Sequence, residues 1–255
     1  FCLISRRIYI INDLRDMKED RLHPKKKFRP IPAGKISFKN SLILSFICIT
    51  SSLFIALLIN KLLLLLIITY LILQISYSFY LKRKPLADLF CISSGFLLRA
   101  IAGGVSSGIF ISHWFLITVG LLSLFLAVEK RKKELHDFEE NGNETRGVIK
   151  RYSLPLLNRI ESISINGGFI SYSLWASGPV LQGASTSLML ITVPLVLAGI
   201  LRYLLISDFK EIKRRSALNI NFDIERPEEV LLKDKVIQFI LILWILITFF
   251  IGYFS

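Results

Sequence analysis

The sequence predicts an all-α, polytopic membrane helical bundle, and three observations carry that prediction. Apolar residues make up 53% of the chain, and the mean hydropathy is +0.57. Those values exceed what an ordinary soluble domain carries, yet 32 Lys and Arg against 19 Asp and Glu leave a net charge of +13. Charge of that size must therefore be segregated from the apolar segments, and along the chain it is. Long apolar stretches alternate with short polar connections, and nearly all the Lys and Arg fall on every second connection.

A hydrocarbon core of roughly 30 Å needs about 20 mostly apolar residues as helix, because lipid offers no partner to an unpaired backbone group. Seven segments meet that requirement: Ser41 to Ile59, Leu62 to Tyr80, Asp88 to Ile111, Trp114 to Val128, Leu156 to Ala176, Ser185 to Ile206 and Val236 to Tyr253. Ahead of them, Phe1 to Leu14 reads as the last half of another span. Arg6 and Arg7 interrupt it and belong near the interface or inside the bundle, since each would cost about 2.5 to 3.5 kcal/mol facing lipid at mid-span. The chain opens on Phe1 within apolar sequence, with no basic n-region and no small-residue cleavage site, which is not a signal-peptide pattern. Upstream sequence is expected to be missing.

The connections Arg15 to Lys39, Lys82 to Lys84, Lys130 to Arg159 and Arg202 to Lys235 are strongly basic, whereas the opposite set holds only Lys61. Cytoplasmic loops carry the excess of Lys and Arg, so the basic set is expected to face the cytoplasm. Topology and contact with anionic lipid then account for most of the positive charge, and no nucleic-acid partner is expected. Cys2, Cys48 and Cys91 sit in apolar runs without CxxC spacing, which points to neither a disulfide framework nor a zinc site. The glycine pairs Gly103 to Gly104 and Gly167 to Gly168 suit close helix packing.

The segment NDLRDMKED, Asn12 to Asp20, closes the partial first span. Asp13, Asp16 and Asp20 recur at intervals of three and four, which stacks three carboxylates on one helical face. Two readings stand for this cluster. Mg²⁺ takes oxygen ligands and is usually held by one or two carboxylates together with substrate phosphates. A solvated helix end is the other, because Arg15, Lys18 and Arg21 interleave the acids. The next residues favour the metal: His23, Lys26, Lys27 and Arg29 follow directly, and carboxylates beside phosphate-gripping cations form a diphosphate clamp. Pro24, Pro30 and Pro32 keep that loop from becoming helix.

NDxxDxxxD followed by HPxKxxRPI resembles the first aspartate-rich motif of the UbiA superfamily of intramembrane transferases. The second such motif is not evident, because SDFKEIKRR and INFDIERPEE between Arg202 and Lys235 lack DxxxD spacing. Five further segments are similar to the decaprenyl-phosphate phosphoribosyltransferase branch: YSFYLKRKPLADLF from Tyr77, GFLLRAIAGG from Gly95, KRKKEL from Lys130, RGVIKRY from Arg146 and RPEEVLLKD from Arg226. The resemblance implies a UbiA-type bundle of nine spans in the full protein, the N-terminal span missing here, with residues 1 to 255 forming a single transferase domain.

It implies as well an enzyme that moves 5-phosphoribose from phosphoribosyl pyrophosphate to a polyprenyl phosphate and releases pyrophosphate, with Mg²⁺ as cofactor, in cell-wall precursor synthesis. The alternative is a prenyltransferase that moves a polyprenyl group from its diphosphate to an aromatic acceptor. On the first reading Asp13, Asp16 and Asp20 are the metal-binding and catalytic residues, and Asn12, Lys26, Lys27 and Arg29 bind the donor. Tyr77, Lys82, Arg99, Lys130, Arg131, Glu134, Arg146 and Tyr152 complete the substrate site, and a homo-oligomer is left open. Simpler roles stand beside these: Tyr77 as an interfacial belt residue, Arg99 as a buried-pair residue, Glu134 and Glu228 as solvated acids, and His113 and His136 as bystanders.

Overall fold

Helices form where the apolar runs predict them, and their ends are set by identifiable capping chemistry. The computed structural model describes residues 4, 5, 10, 17, 28, 31, 33, 37–141, 147–208, 211, 214, 230 and 232–254. Among these, seven α-helices follow in order: α1 (Phe38–Ile59), α2 (Lys61–Phe79), α3 (Ala87–Ser107), α4 (His113–Asn141), α5 (Leu154–Ala176), α6 (Val193–Ser207) and α7 (Lys235–Phe254). A 3₁₀ stretch, Ser187–Thr192, leads directly into α6, so the two together run Ser187–Ser207. Six of these segments are long and apolar enough to cross a membrane. The seventh, α5, has 23 residues, a length of about 34 Å at 1.5 Å per residue, but carries Asn158, Arg159 and Glu161 in its first turns. The protein is an all-helical, multi-pass membrane protein.

Two helices depart from the expected bounds. α3 stops at Ser107, not Ile111, because Gly108 adopts φ +69° and the Ile109 N–H donates to Gly104 O at 3.1 Å, the C-terminal closure that a left-handed glycine permits. α4 does not end at Val128. Its 29 residues extend about 43 Å, so KRKKELHDFEE continues the helix beyond the hydrocarbon where a loop was expected. Lys, Arg, Glu and Leu are strong helix formers, and hydropathy is blind to that propensity.

The contacts divide the chain into two compact units. The first comprises residues 1–84 with 98–110. Asn60 alone separates α1 from α2: its backbone is extended, its side-chain oxygen accepts the Leu62 N–H at 2.8 Å, and the two helices return antiparallel. Ala56, Leu63, Ile67, Tyr70 and Ala102 form this unit's core. The second unit comprises residues 85–97 with 111–255. Here α4 and α5 lie antiparallel, as shown by the hydrogen-bonded hydroxyls of Thr118 and Ser171 at 2.9 Å and the Lys132 to Glu161 ion pair at 2.7 Å. Gly167 and Gly168 face Leu121 and Leu122 of α4, where an added Cβ would lie within 3.0 Å of a leucine methyl, so this pair does serve close packing. At the start of α7, Asp234 caps the Ile237 N–H at 2.9 Å and holds Arg202 of α6 through two hydrogen bonds of 3.2 and 2.9 Å.

Candidate active site

The charged extension of α4 organises the polar residues of the second unit by presenting a different set on each side. Glu129 and Lys132, one turn apart, meet Glu161 of α5: Lys132 Nζ lies 3.1 Å from Glu129 and 2.7 Å from Glu161. Arg131 and Glu134, also one turn apart, face the start of α3. Arg131 donates from Nε to Asp88 Oδ2 at 2.7 Å and from Nη1 to Glu134. Lys130 remains on the exposed side. A helix repeats every 3.6 residues, so the six positions from Glu129 to Glu134 suffice to serve three directions.

Asp88 is the centre of the second set. It is fully buried, Arg131 is 1% exposed, and Tyr152 donates its hydroxyl to Asp88 Oδ1 at 2.5 Å. The Tyr152 oxygen accepts in turn from the Leu86 N–H at 2.7 Å. That bond holds the turn entering α3 with Leu86 at φ +64°, a left-handed conformation that costs a bulky residue of order 1 to 3 kcal/mol. A chain of contacts thus runs Glu134, Arg131, Asp88, Tyr152, Leu86, joining α4, α3 and the segment before α5. Burial pushes the Tyr152 phenol above its ordinary value, and the bond to Asp88 pushes it further. The phenol therefore stays protonated at neutral pH. Its contribution to stability is full below the ordinary tyrosine value near pH 10 and is lost only above it. Tyr152→Phe is expected to remove about 1 to 3 kcal/mol, because it leaves the Leu86 N–H and one Asp88 oxygen short of a partner, and a thermal melt against wild type measures it.

In the first unit, Lys82 lies in the short 3₁₀ turn after α2 and is 6% exposed, while Tyr77, near the end of α2, is half-buried. Arg99 of α3 donates from Nη2 to the Tyr70 hydroxyl at 2.8 Å, so one of its partners is a phenol on α2.

Asn12, Asp13, Asp16, Asp20, Lys26, Lys27, Arg29 and Arg146 lie outside the described residues, as do His23 and Glu228. The structure brings Arg131, Glu134 and Tyr152 into one network, with Lys130 beside it on α4. The sequence reading missed Asp88, Glu129 and Glu161. One signal was available: a carboxylate at the start of an apolar span is costly and so usually paired or functional.

Among the described residues no three His, Cys, Asp or Glu side chains converge as metal ligands. Asp88, Glu129, Glu134, Glu161 and Asp234 each engage a cation of the protein instead. The row Asp13, Asp16 and Asp20 supplies the all-oxygen donor set that Mg²⁺ prefers.

Residues 1–222 match the UbiA prenyltransferase family. The chain is 35% identical over 253 residues to the decaprenyl-phosphate phosphoribosyltransferase of Mycolicibacterium smegmatis, covering 96% of this chain and 76% of that protein. The protein of the same name from Corynebacterium glutamicum is 34% identical over 251 residues, 96% of this chain and 71% of the other. A UbiA homolog from Archaeoglobus fulgidus, solved with GPP and Mg²⁺, shares the fold at a TM-score of 0.61 and 20% identity, over 97% of this chain and 83% of that one.

Proposed function

The chain belongs to the UbiA prenyltransferase family, and on that premise we propose that it transfers 5-phosphoribose from phosphoribosyl pyrophosphate to a polyprenyl phosphate at the membrane face bearing the basic connections. It is a membrane transferase. One observation carries the choice of reaction: relatives 34–35% identical across 96% of the chain bear the name of that activity. The family's fold alone does not select it, since a 20% identical neighbour holds GPP.

The chemistry is a substitution at C1 of the ribose. An oxygen of the lipid phosphate forms the new C1–O bond, the bond to pyrophosphate breaks, and its electron pair leaves with pyrophosphate. A phosphate nucleophile is already anionic at neutral pH, so the demand on the protein is to place two repelling phosphate groups together rather than to supply a strong base. Magnesium, when held by Asp13, Asp16 and Asp20, would neutralise the departing pyrophosphate, as Mg²⁺ accompanies GPP and DMAPP in structures of the Archaeoglobus fulgidus UbiA homolog. Asn12 orients that donor end. Lys26 and Lys27 act on it as point charges and Arg29 as a bidentate clamp. Lys82, Lys130, Arg131 and Arg146 serve the donor 5-phosphate and the acceptor phosphate. Within that set the geometry supports a division of labour: Lys130 is exposed on α4, while Arg131, held by Asp88 and Glu134, fixes the helix that presents it. Tyr77 serves a phosphate or a ribose hydroxyl, and Tyr152 positions Asp88. Residues 1–255 act as one transferase domain on the cytoplasmic side of a bacterial inner membrane, in the synthesis of a cell-wall precursor.

The test is a two-substrate assay on the full-length chain in nanodiscs. Labelled phosphoribosyl pyrophosphate with unlabelled polyprenyl phosphate is expected to yield a labelled lipid that requires both substrates and Mg²⁺. A labelled lipid-soluble product formed only from polyprenyl diphosphate and an aromatic acceptor would reverse the assignment.

A further inference from the structure

Lys132 of α4 has two carboxylates and needs one. Its Nζ lies 3.1 Å from Glu129, three residues earlier on the same helix, and 2.7 Å from Glu161 of α5. All three side chains are largely enclosed, Glu129 at 7%, Lys132 at 17% and Glu161 at 12% exposure. With all three ionised the group holds one net negative charge away from bulk water, which costs free energy. Glu129 alone would neutralise the ammonium from within α4. Charge balance therefore does not account for Glu161; what it adds is a bond between helices.

That bond sits where it can keep α4 from rolling about its axis. Leu124, Val128 and Leu135 form the buried stripe of α4, in one cluster with Leu157 of α5. Successive helical residues point about 100° apart, so Arg131 and Lys132 lie on the two sides of that stripe and Lys130 points away from it. Arg131 is tied to Asp88 of α3 and Lys132 to Glu161 of α5, and a roll in either direction strains one of the two ties. Lys130, exposed on the outer face, is the residue such a roll displaces. A shift of about 1 Å in a group that positions a substrate is enough to weaken its hold.

We propose that Glu161 is a positioning residue for the transfer: through Lys132 it fixes the rotation of the α4 extension, and with it the direction in which Lys130 meets a substrate phosphate. This role rests on the assignment of Lys130 to a substrate phosphate in the transfer reaction. Lys130 would hold that phosphate before and during the reaction alike, so a lost position is read in KM and not in kcat. A smaller folded fraction does the reverse, lowering the apparent kcat and leaving KM untouched.

The test measures kcat and KM for both substrates on the full-length chain in nanodiscs, with the donor diphosphate that wild type turns over. Glu161→Gln leaves Lys132 paired with Glu129 and strands no charge; it is expected to raise KM for one substrate about fivefold, with kcat within about twofold of wild type. Glu129→Gln also leaves Lys132 one carboxylate but keeps the tie to α5, and its KM values should stay within about twofold. Lys130→Gln is expected to raise KM for the same substrate as Glu161→Gln, and combining the two should raise it no further, because both act on one contact. Glu161→Asp, which keeps the charge and shortens the reach to Lys132, replaces Glu161→Gln should that variant not purify as a single species, with the same expectations. A KM unchanged in Glu161→Gln while Lys130→Gln raises it, a fall in kcat alone, equal KM effects of Glu129→Gln and Glu161→Gln, or effects of Lys130→Gln and Glu161→Gln that multiply each overturn the positioning role alone. A KM unchanged in Lys130→Gln withdraws Lys130 from the substrate site and the role of Glu161 with it.

Discussion

Asp16→Ala is expected to lower turnover of the full-length enzyme by on the order of 10²- to 10³-fold, with expression and membrane insertion unchanged. The magnitude is that of removing one preorganised group that stabilises charge developing on the leaving group. The unchanged insertion is expected from the sequence spacing of Asp13, Asp16 and Asp20, where losing one of three like charges relieves repulsion among them. Lys18→Ala, two residues on, lies off that row and serves as the control: it should stay within a few-fold of wild type. Normal turnover in Asp16→Ala, with product confirmed by mass, would remove this residue from the metal site.

The second large effect is on stability. Arg131→Ala is expected to cost about 3 to 5 kcal/mol, because it leaves the fully buried Asp88 carboxylate without its cation. Asp88→Ala should cost less, because the Arg131 guanidinium, 1% exposed, keeps Glu134 as a partner. Replacing both, as Asp88→Leu with Arg131→Met, is expected to recover most of the loss, since a desolvated ion pair exchanged for apolar side chains of similar volume is often neutral. Thermal midpoints in one detergent measure all four proteins. Losses that simply add in the double variant would show that the pair is not coupled. Turnover should not recover with stability, because the double variant no longer holds the Tyr152 and Leu86 turn at the entrance to α3.

Hydropathy located every described helix, and the reason is physical: lipid forbids unpaired backbone, so an apolar run of sufficient length has one conformation open to it. The same signal fails where lipid stops. It ended α4 at Val128, because it measures solvent preference, and the charged continuation to Asn141 is set by helix propensity. It overran α3 to Ile111, because the closure at Gly108 is a backbone event inside apolar sequence. Pairing across the bundle was less legible. Asp88 and Tyr152 are 64 residues apart, Arg99 and Tyr70 are 29 apart, and no helical period relates either pair. The proposed chemistry comes from motif spacing instead: Asp13, Asp16 and Asp20 and the cations after them are close in sequence, and they lie outside the described residues.

The proposed transfer depends on those carboxylates holding a divalent cation that grips the donor diphosphate. Mn²⁺ binding to the full-length chain, followed by electron paramagnetic resonance with and without phosphoribosyl pyrophosphate, addresses this most directly. Binding is expected in wild type, tightened by the donor, and lost in both Asp13→Ala and Asp16→Ala. Mn²⁺ binding that persists undiminished in both variants, or that is indifferent to the donor, would contradict it.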